Sequence, residues 1–128
     1  MSTIKGEVAF YGVDNISVKL DNIIKILNLK KQSFEIKLII SEAVSNAFIH
    51  GNNSDKNKPI SVQWEIKENL LIIDVKDCGC GLKDLKDYKE INKENLLNES
   101  GRGLYIISSY ADEVKFKGNS IIMEKYLL

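Results

Sequence analysis

Asp77-Cys78-Gly79-Cys80-Gly81-Leu82 follows an apolar, β-branched run at residues 70–76 (Leu-Leu-Ile-Ile-Asp-Val-Lys) that predicts a strand. An aspartate at the end of a strand, then two glycines one residue apart, is backbone suited to bending closely around something, because glycine reaches φ > 0 and presents no Cβ to a ligand. An ionised carboxylate at Asp77 only accepts hydrogen bonds, so its natural partner is a donor such as an exocyclic amine. Two readings stand at this point: a ligand-binding turn, and a turn that needs glycine for its own geometry. Cys78 and Cys80 are the only cysteines. Their one-residue separation is not the spacing of a metal or redox pair, so they read as small side chains within the glycine turn.

Upstream, Ile60, Val62, Trp64 and Ile66 alternate with polar residues, which predicts a strand with one buried face. Lys67-Glu68-Asn69 turns this strand into the one ending at Asp77, giving a hairpin, with Trp64 assigned to the core. Residues 51–59 are a loop by composition. Before them a helix is expected from Ser33 to His50, with Gly51 at its C′ position. Glu42, Asn46 and His50 recur every fourth residue, which stacks them on one ridge of an otherwise apolar helix. That ridge is either a solvated stripe or a functional row, and the helix by itself leaves both open. A further amphipathic helix is expected from Ile16, Leu20, Ile23, Ile24 and Leu27, with Asp14 or Asn15 as N-cap, after a first strand at residues 5–11.

Downstream, residues 82–100 are polar, lysine-rich and weakly periodic. A connection of that length in a small domain is usually functional, and here it reads as a lid. Gly101-Arg102-Gly103-Leu104 then leads into an apolar helix. A glycine-rich helix start offers free N–H groups and a positive dipole end to an anion, and Arg102 adds a fixed charge. The chain closes with a hairpin, residues 113–116 and 120–126, around Lys117-Gly118-Asn119.

With 44% hydrophobic residues, the 128 residues predict one domain over 1–128. Eighteen basic side chains balance eighteen acidic ones, so the positive footprint of a nucleic-acid binder is missing and no direct nucleic-acid contact is expected. No apolar run approaches a membrane span and no leader is legible, so the expected location is the cytoplasm, away from membranes.

Three segments together carry a family resemblance: Glu42-Ala43-Val44-Ser45-Asn46-Ala47-Phe48-Ile49-His50-Gly51, Asp77-Cys78-Gly79-Cys80-Gly81, and Gly101-Arg102-Gly103-Leu104. In this order they resemble the three nucleotide boxes of the Bergerat-fold (GHKL) ATPases, the superfamily of gyrase, histidine kinases and the MutL repair proteins. The pattern is most similar to the anti-sigma factor serine kinases, whose first box tends to read Glu-Ala-x-x-Asn-Ala-x-x-His-Gly. The resemblance covers nearly the whole chain. It implies an α+β fold, a two-layer sandwich with a mixed, mostly antiparallel sheet covered on one face by helices. It also implies ATP and Mg²⁺ as cofactors. Asp77 would accept a hydrogen bond from the adenine amine, with Gly79 and Gly81 shaping the pocket around the base. Asn46 would ligate the metal, His50 would orient the end of the box helix, and Gly101, Arg102, Gly103 and Leu104 would lie at the phosphates. Ser120 would supply a hydroxyl near the base, where relatives tend to carry Gly-Thr-Thr and this chain has Gly118-Asn119-Ser120. Glu42 would be the general base, worth roughly 10²–10⁴-fold in phosphoryl transfer. Relatives often carry an arginine just before the third box, where Glu99 stands here.

By this resemblance the chain is expected to be an anti-sigma factor with ATP-dependent serine kinase activity. It would sequester a sigma factor, phosphorylate an anti-anti-sigma antagonist and act as a homodimer. Two alternatives have weight: a nucleotide-binding regulatory module without efficient transfer, and a stand-alone histidine-kinase-type catalytic domain. The second would need a separate phosphoacceptor, since the only histidine, His50, lies inside the box. A gyrase-like clamp would need further domains.

Overall fold

A computed structural model describes residues 4–29, 31–79 and 99–127. Five strands, β1 (Ile4–Tyr11), β2 (Pro59–Lys67), β3 (Leu70–Lys76), β4 (Glu113–Lys117) and β5 (Ser120–Tyr126), form one sheet in the order β1-β2-β3-β5-β4. All four pairings are antiparallel. Helices α1 (Ile16–Leu27), α2 (Ser33–Asn46) and α3 (Glu99–Tyr110) accompany the sheet. The fold is therefore the α+β arrangement expected of a histidine-kinase-like ATPase.

Period-two patterning produces the two faces. Phe10, Ile60, Val62, Trp64, Leu71, Ile73, Val75, Ile121 and Met123 are buried on the inner face, and Trp64 is core as its alternation predicted. Leu20, Ile23 and Leu27 from α1, Ile36, Ile39, Ile40, Ala43 and Val44 from α2, and Leu104 and Ile107 from α3 join them in a single cluster. The opposite face is charged and carries exposed ion pairs such as Lys5–Glu65 at 3.0 Å and Lys115–Glu124 at 3.1 Å, contacts of small energetic value in high dielectric. Among the described residues no helix is long and apolar enough to cross a membrane.

One local expectation holds in part and two need revising. The N-cap of α1 is Asn15, in the left-handed region at φ 59° and without a side-chain capping bond. The second helix does not run as regular α to His50. After Asn46 it widens into a π-turn, Ala47–Gly51, whose bonds include Asn52 N–H to the Ala47 carbonyl at 2.8 Å. Gly51 therefore lies inside this turn instead of at a C′ position. In the third case, α3 already includes Glu99, so residues 101–104 are helical and not a loop leading into the helix. Of the segment read as a lid, residues 82–98 lie outside the described residues, as do Cys80 and Gly81.

The end of the sheet far from Asp77 is fastened by a buried lysine. Lys125 projects from β5 onto the inner face, where its ammonium donates to the Tyr110 carbonyl at the C-terminus of α3 and pairs with Glu35 on α2 at 3.0 Å. A cation at a helix C-terminus complements the dipole there. Beside it, Gln32 Nε2 donates to the Tyr126 carbonyl at 3.1 Å.

Candidate functional site

Two clusters of predicted site residues form at the opposite end, joined by the second half of α2 and the π-turn. In the first, α2 and α3 pack where Gly103 faces Glu42 and Asn46. A Cβ at Gly103 would stand 2.9 Å from Glu42 Oε2 and 3.1 Å from Asn46 Nδ2. Glycine inside a helix costs about 1 kcal/mol relative to alanine, and here it lets α3 lie against the two side chains, with no room for a Cβ in the narrow space they share. Asn46 is buried, and its Nδ2 has no hydrogen-bond partner among the described residues. A buried amide group left unpaired costs ~1–3 kcal/mol, so this position is set up for a ligand rather than for the isolated fold. Amide nitrogen and oxygen exchange places by a flip about χ2, so Asn46 can turn either a donor or a carbonyl oxygen towards that space.

An oxygen from Asn46 suits a hard cation such as Mg²⁺. Among the described residues no three His, Cys, Asp or Glu side chains converge, so such an ion would draw further ligands from phosphate oxygens and water, its usual habit. The residues present fit that mode. Leu104, placed at the phosphates by the resemblance, has its side chain in the hydrophobic cluster and so has only its backbone to offer. Gly101 and Arg102 lie in the early turns of α3. His50 is in the π-turn and partly buried.

The second cluster surrounds Asp77. Its carboxylate is only 5% exposed and receives the Gly79 N–H at 2.5 Å. Burial raises its pKa above the ordinary 3.8, and the Gly79 hydrogen bond opposes the rise without cancelling it. Gly51 explains how the carboxylate fits, because a Cβ there would overlap Asp77's Cβ, Cγ and Oδ2. The π-turn thus brings a bare backbone against the acid.

Sequence reasoning missed two residues here. Asn52 was absorbed into a loop by composition, yet it is fully buried. Its Oδ1 accepts the Cys78 N–H at 2.8 Å, and its Nδ2 donates to the carbonyls of Lys58 at 2.9 Å and Pro59 at 3.2 Å. Asn119 was read as turn-forming, yet its carbonyl accepts the Asp77 N–H at 3.2 Å and its side chain abuts Gly79, which has φ 74°. Ser120 is buried at the start of β5, with Lys76 and Lys117 as its register partners, and the residue before it, Asn119, meets the Asp77 turn. The available signal was an asparagine immediately following each of Gly51 and Gly118.

Comparison with known proteins places the chain in a family. A profile for the histidine kinase-like ATPase domain matches residues 21–125, and the chain belongs to that family. Its curated relatives include proteins named anti-sigma F factor. One, from Geobacillus kaustophilus (strain HTA426), is 33% identical over 100 residues, covering 73% of this chain and 68% of the relative. Another, from Clostridium perfringens (strain SM101 / Type A), is 35% identical over 98 residues, covering 71% and 70%. A third, from Oceanobacillus iheyensis, is 32% identical over 100 residues, covering 73% and 68%. The ATPase domain implies ATP as the ligand of the site.

Proposed function

We propose that this chain is an anti-sigma factor and an ATP-dependent protein serine kinase. It sequesters a sigma factor, transfers the γ-phosphoryl group of ATP to a serine of an anti-anti-sigma antagonist, and works as a homodimer in the cytoplasm. The observation that carries the kinase half is the close juxtaposition of Glu42, Gly103 and an Asn46 amide that has no partner among the described residues. A pure nucleotide binder has no need of a carboxylate beside that amide. The anti-sigma half is supported by the names of the relatives.

In this reading Asp77 accepts the exocyclic amine of adenine, in a pocket floored by Gly51 and Gly79. Asn46 turns its carbonyl oxygen to Mg²⁺, which when bound neutralises charge developing on the phosphates. Glu42 accepts the proton of the incoming seryl hydroxyl, and the missing side chain at Gly103 lets α3 come close to Glu42 and Asn46. The early turns of α3, with Gly101 and Arg102, lie at the phosphate end.

The test mixes purified full-length chain, Mg-ATP and antagonist-like proteins from its own genome, and reads phosphoserine by mass spectrometry. Phosphoserine on one antagonist, with a sigma factor co-eluting in its absence, is the expected result. Transfer to no antagonist would remove the kinase assignment, and capture of no sigma factor would remove the anti-sigma one.

A further inference from the structure

Asn52 reaches three backbone groups from two other segments and is fully buried while doing so. Its own N–H closes the π-turn on Ala47, so one residue ends the box helix and holds the amide immediately after Asp77. Its carbonyl oxygen fixes the Cys78 N–H, and its two amide hydrogens are used on Lys58 and Pro59, where β2 begins. No residue other than asparagine supplies one acceptor and two donors from so short a stem. The Cys78 peptide unit is shared with Asp77, so its orientation fixes the direction of the Asp77 backbone. The Gly51 contact limits where the carboxylate can then lie.

We propose that Asn52 is a positioning residue for the base end of the site, acting through the Cys78 amide to hold Asp77 where an exocyclic amine would meet it. This rests on the nucleotide reading above. The phosphate end is built separately, from α2 and α3 at Glu42, Asn46 and Gly103. Loss of Asn52 therefore affects recognition of the base and leaves recognition of phosphate in place.

Calorimetry on the full chain separates the two ends, with adenosine as probe for the base and Mg-pyrophosphate for the phosphate side. In Asn52→Ala the adenosine Kd rises tenfold or more and preference for ATP over GTP shrinks, while the Mg-pyrophosphate Kd stays within twofold. Asn52→Asp is nearly isosteric and retains the acceptor for Cys78 N–H, so it serves if the alanine variant does not fold. It also exchanges the donors to Lys58 and Pro59 for a buried carboxylate oxygen that faces their carbonyls, which pushes the side chain away from the Cys78 amide, so its adenosine affinity falls between that of the parent and of Asn52→Ala, or below the parent by tenfold where the alanine variant is lost. An unchanged adenosine Kd in a folded variant overturns the proposal, as does an equal loss for adenosine and Mg-pyrophosphate. A parent protein that binds neither adenosine nor ADP overturns the nucleotide reading itself, a different outcome from either.

Discussion

Individual side chains divide the work of the site between charge and shape. Glu42→Gln keeps the shape and removes the base, so nucleotide affinity should stay within a few-fold while phosphoryl transfer falls roughly 10²–10⁴-fold. Asn46→Asp should instead alter the magnesium-dependent part of ADP affinity, measured with and without the metal. Equal transfer by Glu42→Gln and the parent would end the base assignment. Asp77 has a second, pH-dependent consequence. An acid whose folded-state pKa lies above its unfolded value holds its proton more tightly in the folded chain. Its contribution to stability is therefore full at low pH and is lost as pH rises from the ordinary 3.8 through the raised folded value. Asp77→Asn should remove that loss, leaving the ligand-free protein at least as stable at pH 7. The same change should weaken ADP binding by about ten- to a hundredfold, the range for a hydrogen bond to a charged group. In the parent, acidification through the raised pKa should weaken adenine binding, because a protonated Asp77 is a poorer acceptor. Denaturation curves and ADP titrations between pH 4 and 8 check both.

At the level of elements, the two close-packed glycines should respond in opposite ways. A Cβ at Gly51 meets the root of a buried acid, which cannot move aside, so Gly51→Ala should destabilise by roughly 1–3 kcal/mol, as overpacking does. A Cβ at Gly103 meets the far end of Glu42, which can swing away. Gly103→Ala should therefore gain about 1 kcal/mol of helix propensity and lose transfer activity by tenfold or more, a split visible by comparing urea midpoints with initial rates. The contrast also marks what could be read from sequence. The β2–β3 hairpin was legible because alternation of Ile60, Val62, Trp64 and Ile66 encodes which face is buried, and Glu42 with Asn46 because four-residue spacing encodes one helix face. The π-turn was not legible, since nothing within Ala47–Gly51 distinguishes it from regular α-helix and its widening is matched to the acid it meets. The early start of α3 was hidden because Gly101 and Gly103 disfavour helix locally, and packing against α2 outweighs that preference. Asn52 and Asn119 were hidden because a polar residue in a loop looks alike whether it is solvated or buried.

For the molecule as a whole, a site that holds a buried amide without a partner among the described residues and a buried acid with a raised pKa is most stable when filled. Ligand at a hundred times its Kd adds about 2.7 kcal/mol, which for a chain of this size should raise Tm by on the order of 10 °C. Mg-ADP should produce that shift in a thermal scan, and Asp77→Asn should show about half of it or less at the same ligand concentration. The distant end of the sandwich has a bearing on how the site can move. Lys125 fastens the C-terminal end of α3 to α2 and β5, and Gly103 lies seven residues away, about 10 Å along the helix. Were α3 to tilt by roughly 10° about that end, Gly103 would travel about 2 Å towards or away from Glu42.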